Sequence, residues 1–196
     1  MIEKGRPWGF PAALSGAEPR AGDDASLARI LAAQPGARVL LSGGDLFTSL
    51  GGQPAQTPHE LPIDLLEVIA DGTDFVAAAH VVVRRFCWAG PFAVAMNGTH
   101  LGGWNLGPKA HPNDGLVDVT HGSLSFGDRI KARRRAPAGS HVPHPRLATR
   151  RLRTWSVDFE RPTPLRIDNV RSGLVSHLEV RVRPDAGSVV LVAPTR

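Results

Sequence analysis

Short runs of alternating or continuous apolar residues, separated by turns, fill most of the sequence from about residue 61 onward. An alternation of apolar and polar side chains with a period of two is typical of strands that bury one face. At least seven short strands at nearly regular spacing, joined by turns rich in Gly and Pro, favour a β-sandwich or a barrel. The runs lie at 63–72, 75–85, 91–97, 115–122, 148–160, 164–168, 177–184 and 188–193.

The N-terminal part of the chain has a different pattern. The apolar spacing in "SLARIL" predicts a helix over 23–34, with an Asp at its start as the cap. Residues 39–41 predict a buried strand, followed by a Gly-rich turn and a second short helix that begins at Asp45. We therefore predict a mostly β (α+β) protein: a shortened α/β remnant and linker over 1–60, and a β-sandwich domain over 61–196.

Composition limits the class of protein. Hydrophobic residues make up 42% of the chain, enough for a sizeable core. The net charge of +5 permits phosphate-bearing partners such as nucleotides or anionic lipids. The single cysteine, Cys87, excludes an internal disulfide, and we find neither a signal peptide nor an apolar run of membrane-spanning length. These features predict a cytoplasmic protein and leave peripheral membrane association open.

The Gly-rich segment 96–122 is the first candidate for chemistry. Asp114 and Asp118 are four residues apart, and carboxylates with neighbouring carbonyl groups are suitable oxygen ligands for Mg²⁺. The alternative is an Asp-Gly hairpin turn in which Asp118 points to solvent. Zinc is disfavoured, because the histidines lack the spacing of a helical zinc motif. No G-x-S-x-G turn of a serine hydrolase is present.

Four segments resemble one family. "MNGTHLGGWNLGPKAHPNDGLVDV" (96–119) is similar to the signature region of the bacterial diacylglycerol kinase-like lipid kinases, which share a superfamily with NAD kinases. The order of the other segments is also that of the family: "LSGGDLFTSLGG", "AGSHVPHPRL" and "RPTPLRIDNVRSG". The resemblance covers roughly residues 39–193, and its most specific part is the D-G-x-x-D block.

The resemblance implies an α/β nucleotide-binding domain followed by a β-sandwich, and ATP-dependent phosphorylation of a lipid hydroxyl with Mg²⁺. Phosphoryl transfer of this kind requires a cation to spread charge and a carboxylate to take the hydroxyl proton. Asp168 matches the proposed general base of the family. The remaining matches are Ser42, Gly43 and Asp45 near the nucleotide, and Asp114, the Leu116 carbonyl and Asp118 at the structural Mg²⁺.

Two departures from the family pattern bear on function. We do not find the phosphate-binding sequence G-G-D-G-T, and about 38 residues precede the strand predicted at 39–41. The family sequence D-G-E is replaced by Asp168-Asn169-Val170, so one carboxylate is missing. We therefore predict a non-catalytic relative that binds a lipid or a protein partner, with an exposed apolar groove. The alternative is a minimal or split ATP- and Mg-dependent lipid kinase, in which a partner chain supplies the nucleotide-binding domain.

The segment "FGDRIKARRR" (126–135) predicts a basic helix. Its Lys and Arg side chains could face anionic lipid headgroups, which would place the protein on a membrane surface. The alternative is an ordinary solvated helix. Nucleic acid is disfavoured as a partner, because the basic residues are not interleaved with aromatic residues suited to base stacking.

Overall fold

The computed structural model describes residues 7–194, which contain thirteen strands and three α-helices. In chain order these are β1 Phe10–Pro11, β2 Arg20–Ala21, α1 Asp24–Ala33, β3 Arg38–Leu41, α2 Asp45–Ser49, β4 His59–Ala70, β5 Thr73–Ala77, β6 His80–Val83, β7 Pro91–Met96, β8 His100–Leu101, β9 Trp104–Asn105, β10 Val117–Ser123, α3 Phe126–Arg135, β11 Leu147–Leu152, β12 Thr154–Ile167 and β13 Val170–Leu191.

Eleven of these strands form one sheet that curls on itself. Its main order is β1-β4-β13-β12-β6-β7-β10-β11, and every neighbouring pair along this path is antiparallel. β5 adds to β4, while β3 pairs in parallel with the end of β13, and β2 pairs in parallel with β3. The mostly β fold is thus confirmed. The predicted docking of 39–50 on the β part takes the form of a shared sheet, whereas the domain boundary near residue 60 stays a prediction.

Three apolar clusters hold these elements together. The first lies inside the curl of the sheet, where side chains such as Leu66 of β4 and Val119 of β10 are fully buried. The second lies between the two N-terminal helices and the sheet, around Leu27 and Leu46. The third lies under α3 and includes Phe92 of β7. The second and third clusters flank the site described below.

The sequence predicted α3 with its observed bounds, because its signals are local. Ser125 caps it by accepting a hydrogen bond from the backbone N–H of Asp128. Three arginines occupy its last turn, where positive charge interacts favourably with the helix dipole. The helix buries none of its residues completely, so it is held on the sheet by partly covered side chains such as Ala132.

Several predicted strand boundaries were wrong. The strands predicted at 177–184 and 188–193 are parts of β13, which has 22 residues. The pairing of β13 with β4 shifts register between Arg183 and Gly187, so the segment that contains Pro184 is an irregularity within the strand rather than its end. Likewise, 164–168 belongs largely to β12, and 75–85 is divided between β5 and β6.

Candidate functional site: a buried acidic cluster beside an apolar cavity

Three buried aspartates surround one buried histidine where the N-terminal elements meet the sheet. Asp24 and Asp45 begin α1 and α2, His80 begins β6, and Asp168 follows β12. Each of the four residues is at most 7% exposed. Carboxylates are almost never buried without hydrogen-bonding partners, so the partners of each one indicate what it does.

Asp168 ties a backbone loop to the end of β12. Asp168 and Asn169 both have positive φ, 46° and 65°, and form the tight turn between β12 and β13. The Asp168 carboxylate accepts hydrogen bonds from the backbone N–H groups of Ala78 at 2.7 Å, Ala79 at 2.9 Å and His80 at 3.0 Å. Burial raises the pKa of Asp168, against the opposing effect of His80 and these N–H groups. Both of its oxygens thus face backbone groups and not an open pocket. The role of Asp168 as a general base stays a prediction.

Asp45 and His80 form a buried ion pair. Nε2 of His80 donates to Oδ2 of Asp45 at 2.8 Å, and Nδ2 of Asn169 donates to the same oxygen at 2.8 Å. The backbone N–H of Gly102 donates to Oδ1 at 2.7 Å. Burial alone would raise the pKa of Asp45, but the hydrogen bonds outweigh burial and lower it. Burial would lower the pKa of His80, but Asp45 and the neighbouring carboxylates raise it.

Asp24 holds the start of α2. Its carboxylate accepts from the backbone N–H groups of Asp45 at 2.6 Å and Leu46 at 3.0 Å. Burial, together with the nearby charge of Asp168, raises the pKa of Asp24 to about 7. The group therefore changes charge near neutral pH, which is unusual for an aspartate.

The cluster has the ligand types of a metal site. One donor atom from each of Asp24, Asp45 and His80 lies within 4.8 Å of the others. However, both oxygens of Asp24 and both oxygens of Asp45 already accept hydrogen bonds from the protein. A cation would have to replace these bonds, so the observed arrangement fits a hydrogen-bonded network better than a metal centre.

The nucleotide-binding residues predicted at 42–45 lie in a turn that packs against a second, similar turn. The backbone N–H of Ser42 bonds to the Ala21 carbonyl at 3.0 Å. A Cβ on Gly43 would lie 2.5 Å from the Gly22 carbonyl oxygen, so the close approach of the two turns requires glycine there. Both turns join a strand to a helix, which is the context in which nucleotide phosphates bind.

The first of these strand–turn–helix segments, 20–33, was missed by the search for G-G-D-G-T. The signal available in the sequence was the recurrence of Gly-Asp before a helix, in "AGDDASL" and again in "GGDLFTS". In the structure its helix N-terminus is already occupied: Asp23 accepts from the Ser26 N–H at 2.7 Å and forms a capping box. Ser42, Gly43 and Asp45 as nucleotide ligands stay a prediction.

Arg151 occupies the predicted magnesium position. Its guanidinium group forms ion pairs with Asp114 and, at 2.7 Å, with Asp118, which it faces across the β10–β11 pair. Asp114 also accepts from the Leu116 N–H at 3.0 Å, as in an Asp-initiated turn. The positive charge expected of Mg²⁺ is supplied by the chain itself, so these carboxylates do not fit an ion while Arg151 is in place. A magnesium site at Asp114, Leu116 and Asp118 stays a prediction that requires Arg151 to move.

An apolar cavity of about 420 Å³ opens beside the cluster, between the sheet and α3. The sequence did not locate it, although it predicted an exposed apolar groove. Its walls include Trp88, Phe92, Val94, Trp104, Leu124 and Leu147. A smaller pocket of about 290 Å³ shares Arg84, Trp88 and Trp104 with the cavity and extends to Gly102 and Asn169. Since Gly102 and Asn169 both bond to Asp45, the two pockets connect the apolar cavity with the edge of the acidic cluster.

Three solved structures from Bacillus anthracis str. Sterne are similar to this chain. One, described as a "putative diacylglycerol kinase", has a TM-score of 0.61 and 13% identity, over 87% of this chain and 75% of that chain. A second diacylglycerol kinase structure has a TM-score of 0.53 and 14% identity, over 79% and 66%. A third, again described as "putative", has a TM-score of 0.59 and 12% identity, over 81% and 70%.

These similarities confirm the lipid-kinase-like fold that the sequence predicted, and at this identity they concern the fold alone. No protein-family model matches the sequence, and a search of curated proteins found no match. Among residues 7–194, no helix is long and apolar enough to cross a membrane.

Proposed function

We propose that this protein is a non-catalytic relative of the diacylglycerol kinase-like lipid kinases, and that it binds one lipid with its acyl chain in the apolar cavity. The observation that carries the proposal is the cavity of about 420 Å³, which lies within the ordinary size range of ligand sites. Its walls are largely aromatic and aliphatic, as burial of a hydrocarbon chain requires.

The polar half of the site supports binding rather than phosphoryl transfer. The N–H groups at the starts of α1 and α2 would be the natural donors to nucleotide phosphates, but Asp23 and Asp24 already accept from them. A polyphosphate there would displace these caps and meet the negative charge of Asp45 and Asp168 as well. Burial raises the pKa of Asp168, but both of its oxygens accept from backbone N–H groups and the residue is only 5% exposed, so a substrate hydroxyl has little access to it.

The mouth of the cavity supports delivery of the lipid from a membrane. Phe86 and Phe126, which line the cavity, are 87% and 72% exposed. Large apolar side chains so far in the solvent, next to a basic helix, resemble the anchors of proteins that rest on a bilayer surface. We propose an anionic membrane surface as the partner, which gives the basic residues of α3 a function.

Quenching of tryptophan fluorescence tests the lipid site, because Trp88 and Trp104 line it. A brominated fatty acid should quench the protein in a saturable manner. Ala132→Phe, which adds a ring to the wall formed by α3, should weaken this quenching at least about tenfold, equivalent to about 1.4 kcal/mol. Ala148→Phe on the exposed strand β11 is the matched control and should bind like wild type. Unsaturable quenching, or equal binding by the two variants, would contradict the proposal.

The alternative function is a minimal or split ATP- and Mg-dependent lipid kinase. The strand–turn–helix segments at 20–33 and 38–49 are the observation that favours it. Calorimetry with millimolar ATP and Mg²⁺ decides between the two: our proposal predicts no binding heat. Saturable heat would contradict our proposal and favour the kinase alternative. Co-purification of a protein with a G-G-D-G-T sequence would indicate the split form.

A further inference from the structure

Two arginines face the small pocket between the apolar cavity and the acidic cluster. Arg84 and Arg166 both line this pocket of about 290 Å³. Arg166 pairs with Val82 across the β6–β12 ladder, and the Arg84 N–H bonds to the Pro164 carbonyl in the same ladder. Arg84 and Arg166 therefore lie diagonally opposite on one face of the sheet, a spacing at which long side chains meet.

Each arginine is held in place by a contact that leaves donor groups free. The Arg84 guanidinium lies 4.9 Å from the centre of the Trp88 ring, and its Nη1 donates to the Arg85 carbonyl at 3.4 Å. Nη1 of Arg166 donates to the Asn169 carbonyl at 2.9 Å. Guanidinium groups have five N–H donors each, so most of the hydrogen-bonding capacity of the pair remains available to a ligand.

The charges of the two arginines are not compensated by a carboxylate. Among residues 7–194 neither arginine forms an ion pair. Burial, together with the charge of the neighbouring Arg166, lowers the pKa of Arg84. Asp45 lies behind the pocket wall at Gly102 and Asn169, and its carboxylate is bonded to these two residues and to His80. Two like charges held together over apolar walls repel each other, and an anion between them would remove that repulsion.

We propose that Arg84 and Arg166 bind the phosphate group of a phosphorylated lipid whose acyl chain lies in the apolar cavity. This inference rests on the proposed function and names the class of lipid: a phosphate-bearing lipid, such as a phosphatidate, instead of a neutral diacylglycerol. The lining that the two pockets share lets one molecule span both of them. Arginine suits this role because its planar fork matches the geometry of phosphate oxygens.

Calorimetry with soluble short-chain lipids tests the proposal on the full chain. Dihexanoyl phosphatidate should bind at least about tenfold more tightly than dihexanoylglycerol, which has the same acyl chains without the phosphate. Inorganic phosphate should bind far more weakly than the phosphatidate, because it gains nothing from the apolar cavity.

Arg84→Gln and Arg166→Gln should each reduce the affinity for the phosphatidate about tenfold. Arg166 lies outside the lining of the apolar cavity, so Arg166→Gln should leave the affinity for dihexanoylglycerol unchanged. Arg150→Gln on the exposed strand β11 is the matched control and should bind the phosphatidate like wild type. Arg166→Lys, which keeps the charge but loses the planar fork, should lie between wild type and Arg166→Gln. Since Arg166 is exposed, its substitution leaves the fold intact even if that of Arg84 does not.

The outcomes separate this inference from the proposed function. Equal affinity for the two lipids, or Arg166→Gln binding like wild type, overturns the phosphate site and leaves the acyl site standing. Inorganic phosphate binding as tightly as the phosphatidate assigns the pocket to a free anion and also overturns the inference. If neither lipid binds, the proposed function fails together with it.

Discussion

The acidic cluster and the apolar cavity lie side by side, but their side chains are satisfied in opposite ways. In the cluster, the carboxylates of Asp24, Asp45 and Asp168 bond to groups from four different parts of the chain: α2, residues 78–80, Gly102 and Asn169. In the cavity, Phe86 and Phe126 remain mostly in solvent. The carboxylates of the cluster have their hydrogen-bond partners within the protein, and among the four side chains of the cluster in the described residues only Nδ1 of His80 lacks a partner. The cavity, by contrast, exposes apolar surface that a ligand would cover.

This difference separates a region that stabilises the fold from a region that is open to binding. In a kinase of this fold, the polar region would have to leave donors free for a nucleotide and a carboxylate free for a hydroxyl. Here those groups stabilise the junction between the N-terminal helices and the sheet. We therefore expect substitutions in the cluster to change stability, and substitutions around the cavity to change binding.

The largest expected effect is on stability, from Asp168→Ala. Three buried backbone N–H groups would lose their acceptor, which costs about 1–3 kcal/mol each, so the free energy of unfolding should fall by roughly 3–5 kcal/mol. Urea denaturation of wild type and Asp168→Ala measures this change in the free energy of unfolding. Asp158→Ala, whose side chain is 84% exposed, is the control and should change stability by less than about 0.5 kcal/mol. Equal effects of the two variants would mean that Asp168 is not structural.

The next effect is a pH dependence that comes from Asp24. Its pKa rises from 3.8 in the unfolded chain to about 7 in the fold, so the folded state binds the extra proton between these values. Wild-type stability should therefore fall, relative to Asp24→Asn, as the pH rises from 4.5 to 7.5, by on the order of 2–4 kcal/mol. Above pH 7.5 the difference should stay constant. A difference that does not change with pH, measured by urea denaturation, would contradict the raised pKa.

The roles in the cluster show why the sequence predicted the fold better than the site. Helix α3 and strand β3 were predicted from local patterns of capping and apolar spacing. Asp168 was identified as important, but its partners at 78–80 are about 90 residues away, and no local pattern indicates that its oxygens face backbone. His80 was missed for the same reason, because "AAAHVVV" resembles an ordinary buried strand and its partner Asp45 lies 35 residues earlier.

The cavity was unpredictable for a different reason. Its walls come from segments distant in the sequence, and some of them, such as Phe92 and Val94, belong to a strand whose pattern is the same as that of the core. Phe86 and Phe126 differ from these strand residues because each lies outside a strand, beside basic residues, and is exposed. A large apolar residue next to arginines in a predicted turn or helix start was the available signal.

Binding to lipid vesicles tests the mouth of the apolar cavity, where Phe86 and Phe126 are exposed. Wild type should sediment with vesicles of phosphatidylglycerol and phosphatidylcholine but not with pure phosphatidylcholine, and 0.5 M NaCl should release it. Combining Phe86→Ser with Phe126→Ser should reduce the binding about tenfold, because the two rings would no longer enter the interface. Phe10→Ser, at a residue that is 50% exposed and outside the cavity lining, is the control. Equal binding to both vesicle types would contradict an anionic membrane as the partner.

The smallest expected effect concerns Arg151, whose positive charge lies between Asp114 and Asp118, where the sequence predicted a metal ion. Like the carboxylates of the cluster, these two are satisfied by the chain itself. The Arg151 side chain is 40% exposed, and ion pairs in contact with solvent contribute little to stability. Arg151→Ala should therefore lower the free energy of unfolding by only about 1 kcal/mol. Without Arg151, Asp114 and Asp118 would lose the cationic group that both of them bind, and millimolar Mg²⁺ should raise the melting temperature of the variant but not that of wild type. Arg150→Ala, one residue earlier on β11, should show no magnesium response. If Mg²⁺ stabilises wild type as much as Arg151→Ala, then Asp114, Leu116 and Asp118 bind the ion with Arg151 present, and the ion pairs of Arg151 do not take the place of a metal.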